Sequence, residues 1–329
     1  MLGSENVFAA FFRSKIKEEE INVSVHEIIT DRVVARIEEA IKTGERFRWC
    51  KPFTGGVKQA ISYMSGLPYR GVNRLLLEPG CYITYKNLMD YKKTQPETAN
   101  IYVKSGSHKY PVFYYGVSEE KDEVTGQVVL DENGDPIQHK FLKYYSVFNI
   151  EDIAGVKAKY AKAVKTPKVT TALTKKIDKF IAEYVKSEGL EIDVVEDGGN
   201  AFFDMKNRRI RIPAKDEFKS SYMYYSTIFH ELIHSTSIGL NRNVRNSFGT
   251  EAYSREELIA ELGASFLLSE FGIPDDDNDS ANNVEYLAGW ATKLKESTTE
   301  IAKAAAQAEK AMQYFLEKAG AIEELSKSA

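Results

Sequence analysis

Apolar positions change their spacing twice along the chain. From Val25 they recur every three to four residues, at Val25, Ile29, Val33, Ile37 and Ile41. Ser24-Val-His-Glu27 forms a capping box ahead of them and Gly44 closes the segment, so the pattern predicts an amphipathic helix. Between Phe47 and about Ile153 the spacing shortens to tyrosine-rich runs broken by Gly and Pro, namely CYITY, NIYVK, PVFYYGV and FLKYYSVFNI, which read as strands. The acidic insert DEVTGQVVLDENGDP between the last two reads as a long hairpin excursion. A stretch rich in Lys, Ala and Thr then breaks the pattern and predicts a linker over 156–170. Beyond it come a helix (LTKKIDKFIAEYVKS), a strand (LEIDVV) and a hairpin (AFFDM, RRIRIP) that turns at Lys206-Asn207. Helical spacing follows over residues 222–235, 255–271, about 282–295 and 300–318. The expected architecture is α+β: a mixed α/β domain over 1–155, the linker, and an α/β domain over 171–329 that ends in helices.

Composition narrows the class. At 329 residues the chain is long enough for two cores, and 43% hydrophobic with 28% charged residues is ordinary for a globular protein. No apolar run approaches about eighteen residues, so no membrane span is expected. The opening MLGSENVFAAFFRSKIKEEE has no basic region before its apolar patch and no cleavage site, so it reads as an exposed start rather than a signal peptide. Cys50 and Cys81 are too few for a disulfide framework and are not spaced as metal ligands, which points to a reducing cytoplasm.

Two of the five histidines, His230 and His234, lie four residues apart in FHELIHSTS. On a helix that spacing stacks both imidazoles on one face, so that both can reach a single ion while Glu231 points at a water bound to it. In that arrangement Glu231 is the general base. The pattern arises by chance in about one chain in a hundred of this length. The alternative is an amphipathic helix with packed histidines. An open zinc site needs a third protein ligand. No third histidine follows, but Glu257 and Glu261 lie one turn apart on the next predicted helix. The spacing favours Glu257 as ligand with Glu261 orienting a histidine. The reversed assignment stays open, Glu256 ranks third, and Ser254-x-x-Glu257 also reads as a helix cap. Small residues at Ala260, Gly263 and Ala264 would let this helix pack closely. RRIRIP could be an edge strand that pairs with an extended peptide. Zn2+ suits two imidazoles and a carboxylate best, and Mn2+ or Co2+ would also fit.

The net charge of −4 hides a segregated patch: residues 46–118 carry eleven Lys and Arg against three carboxylates. Aromatic residues are interleaved with these cations, among them Trp49, Tyr69, Tyr85, Tyr114 and Tyr115. Cations neutralise phosphates while aromatic faces stack on unpaired bases, so the combination suits single strands better than duplex. The opposing reading is an aromatic core beneath a solvated basic face.

Trp49-x-x-Pro52, Gly-Leu-Pro-Tyr69-Arg70-Gly71-Val-Asn73, Thr84-Tyr85-Lys86, Val103-Lys104-x-Gly106 and Tyr-Ser-Val-Phe148-Asn149-Ile occur in this order and resemble the N-terminal domain of ArdC-type antirestriction proteins. Phe-His-Glu-Leu-Ile-His-Ser-Thr, the following Asn-Arg242 and Tyr253-x-Arg-Glu-Glu-Leu-Ile-Ala-Glu261-Leu resemble the zincin-like metallopeptidase domain that accompanies it. The resemblance covers most of 24–295. It implies a protein of plasmids and other mobile elements in which a single-stranded-DNA-binding domain is joined to a metalloprotease-like domain, and which protects incoming DNA from host restriction. The candidate DNA contacts are Trp49, Lys51, Tyr69, Arg70, Asn73, Arg74, Tyr85, Lys86, Lys104 and Lys109. The metal candidates remain His230, His234 and Glu257 or Glu261, with Glu231 as base. The expected partners are single-stranded DNA and an unidentified protein or peptide, such as a host restriction component. Two other functions fit the same residues: a cytoplasmic zinc peptidase whose basic half recruits a protein substrate, and a DNA-binding protein whose metal site is purely structural. The 118–136 insert and the last helix depart from the simplest picture, and the helix reads as packing or as a partner surface.

Overall fold

The computed structural model describes residues 24–50, 59–96, 98–122, 124–157, 169–196, 198–242, 251–274 and 284–326. Lys51 and most of the expected linker lie outside them. Helix α1 (Val25–Thr43) starts on the capping box, where Ser24 Oγ accepts from Glu27 N at 3.2 Å and Ser24 N donates to Glu27 Oε2 at 2.6 Å. It ends on Gly44, whose φ of +73° is the left-handed conformation glycine adopts without penalty.

The next elements are β1 (Ala60–Ser62), α2 (Asn73–Leu76), β2 (Gly80–Thr84), α3 (Tyr85–Lys93), β3 (Tyr102–Val103), β4 (Tyr110–Glu119), β5 (Gln138–Asn149) and β6 (Ile153–Ala154). They form a four-stranded sheet of order β1-β2-β5-β4 and a two-stranded pair β3-β6. β4 and β5 pair antiparallel from Tyr110↔Val147 to Glu119↔Gln138, a long ribbon standing off the sheet. The acidic insert caps it: isolated bridges Lys121↔Val128 and Leu130↔Pro136 continue the hairpin.

After residue 169 come α4 (Thr171–Glu188), β7 (Glu191–Val195), β8 (Phe202–Asp204), β9 (Arg209–Pro213), α5 (Ser221–Gly239), α6 (Glu251–Phe271), α7 (Val284–Glu296), α8 (Glu300–Lys318) and α9 (Ile322–Ser326). The strands order as β7-β9-β8. β9, the RRIRIP strand, is therefore central rather than an edge, because β7 pairs with it parallel and β8 antiparallel. The edge beside α5 is β8.

One hydrophobic cluster passes through both halves, from Ile29, Val33 and Ile37 of α1, through Trp49 and Phe113, to Phe229, Phe266 and Phe315. The last long helix, α8, lies inside it and buries Ala304, Ala305, Ala308, Ala311, Met312 and Phe315. Burying Met312 and Phe315 contributes roughly 1.5–3 kcal/mol each. This helix is core, and the alternative of a partner surface gives way to packing against α5, α6 and α4.

Candidate metal centre

Helix α5 begins at Ser220, whose hydroxyl accepts from Met223 N at 3.2 Å. Its apolar side, Tyr225, Ile228, Phe229, Leu232 and Ile233, is fully buried, and Phe229 stacks on Phe271 of α6 at 5.6 Å. The two helices pack closely because Gly263 faces Ile233, and a Cβ there would lie 2.9 Å from three Ile233 carbons. Packing α5 against α6 turns His230 and His234 towards Glu257.

The Nε2 atoms of His230 and His234 are 3.0 Å apart. Glu257 closes the triangle, with Oε2 3.5 Å from His230 Nε2 and Oε1 3.5 Å from His234 Nε2. All three ligand atoms lie within 4.8 Å of one another. Two imidazole nitrogens and one carboxylate converging on one point fit a divalent cation. Ser254 sits inside α6, not at its start, so the helix-cap reading of Glu257 falls away.

Three further carboxylates surround the triangle. Glu231 is 7% exposed, and burial raises its pKa against the pull of His230, His234 and the Phe203 N–H of β8. Burial opposes the His230 cation, but Glu257, Glu261 and Glu231 outweigh it and the net shift is upward. Glu256 is 6% exposed and faces His234, Oε1 to Nδ1 3.2 Å. Burial works against its charge, yet His234 and Arg242 hold it below the usual carboxylate range. Arg242 donates from Nε to Glu256 Oε2 at 3.0 Å and from Nη2 to Oε1 at 2.8 Å. Its remaining donors reach Ile233 O and Thr236 Oγ1, both at 2.8 Å. The end of α5 aims it there: Asn241 takes φ +51° and Arg242 N returns to Ser237 O at 2.9 Å. Sequence reasoning gave the orienting role to Glu261. The structure puts Glu256 against the histidine, while Glu261 accepts from Tyr286 Oη at 2.7 Å. Tyr286 was missed, since no spacing links α7 to this site.

The DNA candidates divide. Trp49 is buried and edge-on to Trp290 at 6.2 Å. Asn73 is buried and exchanges two 2.8 Å bonds with the Phe113 backbone. Arg74 is buried, bonded to Glu309 (2.9 Å), Glu270 (3.2 Å) and Gln59 (2.5 Å), with its guanidinium over Phe266. These three are corrections: all are buried, the polar groups of Asn73 and Arg74 are spent inside the chain, and none presents a face to a ligand. Tyr69 is half-buried against Tyr82, at 6.3 Å. Arg70, Tyr85, Lys86, Lys104 and Lys109 are exposed, with Lys104 donating to Glu151 O at 2.6 Å.

The model for the N-terminal domain of anti-restriction factor ArdC matches residues 24–148, and that for a zincin-like metallopeptidase matches 176–307. The crystal structure of the metal-free antirestriction ArdC protein from plasmid R388 superposes with a TM-score of 0.64 at 27% identity, over 90% of this chain and 98% of that one. The chain therefore pairs an ArdC-type N-terminal domain with a zincin-like metallopeptidase domain, and its solved neighbours are ArdC antirestriction proteins. The Mn(II)-bound structure of the same ArdC protein gives a TM-score of 0.62 at 26% identity, again over 90% and 98% of the two chains. The family's two-domain α/β fold with a zincin-like half is therefore the fold of this chain. DNA primase TraC of Escherichia coli is 30% identical over 311 residues, which are 90% of this chain and 27% of the primase. A second Escherichia coli TraC is 29% identical over 88% of this chain and 20% of its own length, so the chain spans about a quarter or less of these two relatives. Uncharacterised protein y4eC of Sinorhizobium fredii is 22% identical over 87% of this chain and 89% of its own. Among the described residues no helix is long and apolar enough to cross a membrane.

Proposed function

We propose that the chain is a cytoplasmic antirestriction protein of a mobile element, which binds incoming single-stranded DNA and carries a zinc metallopeptidase-type centre. The convergence of His230, His234 and Glu257, with Glu231 alongside, carries this reading. The three groups would hold the ion, and Glu256, braced by Arg242, fixes the His234 ring through Nδ1. Bound there, Zn2+ supplies a Lewis acid that brings the pKa of its water towards neutrality. Glu231 is the residue to take that proton, since it follows His230 directly and is buried at the site. Edge strand β8 offers backbone groups beside Glu231 to an extended peptide, the part expected of β9 from sequence. Mn(II) in the R388 relative makes manganese the second choice of metal. The protein substrate is a host restriction component.

The test is a conjugation assay into a restricting host, run beside metal analysis of purified protein. Wild type is expected to hold one divalent ion and protect the incoming DNA, and Glu231→Gln to keep the ion but lose protection. A Glu231→Gln protein that retains both metal and full protection overturns the peptidase part. A wild type without oligonucleotide affinity overturns the DNA part.

A further inference from the structure

Four side chains on one face of the β4–β5 ribbon form a surface that the motifs do not mark. The register puts Lys143 directly opposite Tyr114, while Phe141 and Tyr145 flank Lys143 at two-residue spacing on β5. Residues two apart on a strand point the same way and lie about 7 Å apart. Tyr114 is 55% exposed and Tyr145 41%, and Lys143 is also exposed. Phe141 lies 6.1 Å from Tyr114 and carries Lys143 Nζ over its ring at 4.8 Å. Its ring covers Gly116, where any Cβ would collide with it, so glycine gives the ring its seat. Towards the sheet Tyr69 packs on the same small core as Val112 and Val147 of this face, and exposed Arg70 follows it in the chain.

Both faces of the ribbon reach a core near the sheet: Phe113 and Leu142 pack into the main cluster on one side, and Val112 and Val147 into a smaller one on the other. The Phe113 side also exposes Tyr115 and Tyr144, but only the Tyr114 side sets a lysine between its exposed rings with an aromatic ring beneath it. On the outer face no packed element covers Tyr114 or Tyr145, and no carboxylate pairs with Lys143 among the described residues. Two large exposed rings with a lysine between them fit a chain of flat bases joined by phosphates. The acidic tip bounds the surface. Asp122 and Asp131 accept backbone N–H bonds from their own turns, which hold both carboxyls below their ordinary pKa and keep the tip anionic.

We propose that the outer ribbon face, Tyr114, Phe141, Lys143 and Tyr145, with Tyr69 at its sheet end, is a stacking platform for single-stranded nucleic acid, running towards the acidic tip and stopping short of it. The assignment rests on the single-strand reading above and adds the surface that performs it. Bases stack on the Tyr114 and Tyr145 rings without regard to identity, while Phe141 seats Lys143, which neutralises a phosphate between them.

The test is fluorescence anisotropy with a fluorescein-labelled oligothymidylate of about twenty nucleotides, on the full chain. Tyr114→Ala and Tyr145→Ala are expected to weaken binding by about fivefold to a hundredfold each, and Tyr114→Phe to bind as wild type. Lys143→Gln should lower the slope of log affinity against log salt by about 0.7. Tyr115→Ala, on the opposite face, should change nothing. Photo-crosslinking of wild type to an iododeoxyuridine oligonucleotide should mark peptides spanning 110–119 and 138–149, a readout that does not depend on any variant folding. If wild type binds while the outer-face variants bind equally well and crosslinks fall elsewhere, the platform is overturned and the face belongs to a protein partner. If wild type does not bind at all, the single-strand reading fails with it.

Discussion

Arg74 gives the sharpest test of how the two halves are joined. It lies on α2, in the basic and aromatic half, yet it is 7% exposed and reaches Glu309 on α8 and Glu270 on α6. Glu309 also accepts from Gly71 N at 3.1 Å, so one buried carboxylate ties the N-terminal segment to the innermost helix. Burial disfavours the Arg74 charge, but Glu309 and Glu270 more than restore it. Removing the guanidinium leaves buried Glu309 and partly buried Glu270 without their cation. Breaking a buried pair from one side costs about 3–5 kcal/mol. At roughly 2–3 °C per kcal/mol for a chain of this size, Arg74→Ala should melt about 6–15 °C below wild type. The assay is thermal unfolding followed by far-UV circular dichroism, with oligonucleotide affinity measured well below the transition. Because one hydrophobic cluster spans both halves, the transition should shift as a whole. R74M/E309Q should recover part of the loss, since Glu309 is then no longer left charged. An Arg74→Ala protein that melts within about 2 °C of wild type but binds oligonucleotide poorly would refute the buried-tie reasoning and make Arg74 a DNA contact.

Three further outcomes follow from the centre. Glu257→Ala should lower the metal content of purified protein from one ion to well below one, whereas Glu261→Ala should leave it near one; inductively coupled plasma analysis distinguishes them. Glu256→Gln and Arg242→Ala should each weaken metal affinity about tenfold to a hundredfold in a competition titration against a chelating dye, because the His234 ring loses its anchor without losing a ligand. Gly263→Val should lower Tm by several degrees, since overpacking of this kind costs about 1–3 kcal/mol, and Ile233→Ala in the same chain should return part of it.

The metal triangle was legible because a helical repeat of four residues is local, and His230 and His234 need only a helix to meet. Glu257 was legible for a similar reason, since Glu257 and Glu261 share one face of a recognisable helix. The orienting carboxylate was not. Glu256 points at His234 only because α5 ends in a left-handed Asn241 that swings Arg242 back, a tertiary event with no periodic trace. The basic half shows the same boundary between local and non-local. Charge counting found the excess of cations but could not tell Arg74, spent on Glu309, from Arg70, exposed on the surface. Helix α3 escaped because Thr84-Tyr85-Lys86 reads as the end of a strand, yet Thr84 Oγ1 accepts from Asn87 N at 3.1 Å and starts a helix with one buried residue, Leu88. The edge-strand reading of RRIRIP failed because strand order is set by pairing partners, which alternation alone does not encode.

Helix α8 is made after the histidine helix and after Glu257, yet it lies beneath them. A ribosome that has released residues 221–271 has therefore exposed the metal-binding side chains without the support that holds α5 against α6. The centre is therefore expected to mature late in synthesis, with a nascent chain shorter than residue 300 inert towards metal. Stalled chains ending before and after 300–318 check this directly: only the longer set should retain an ion through washing.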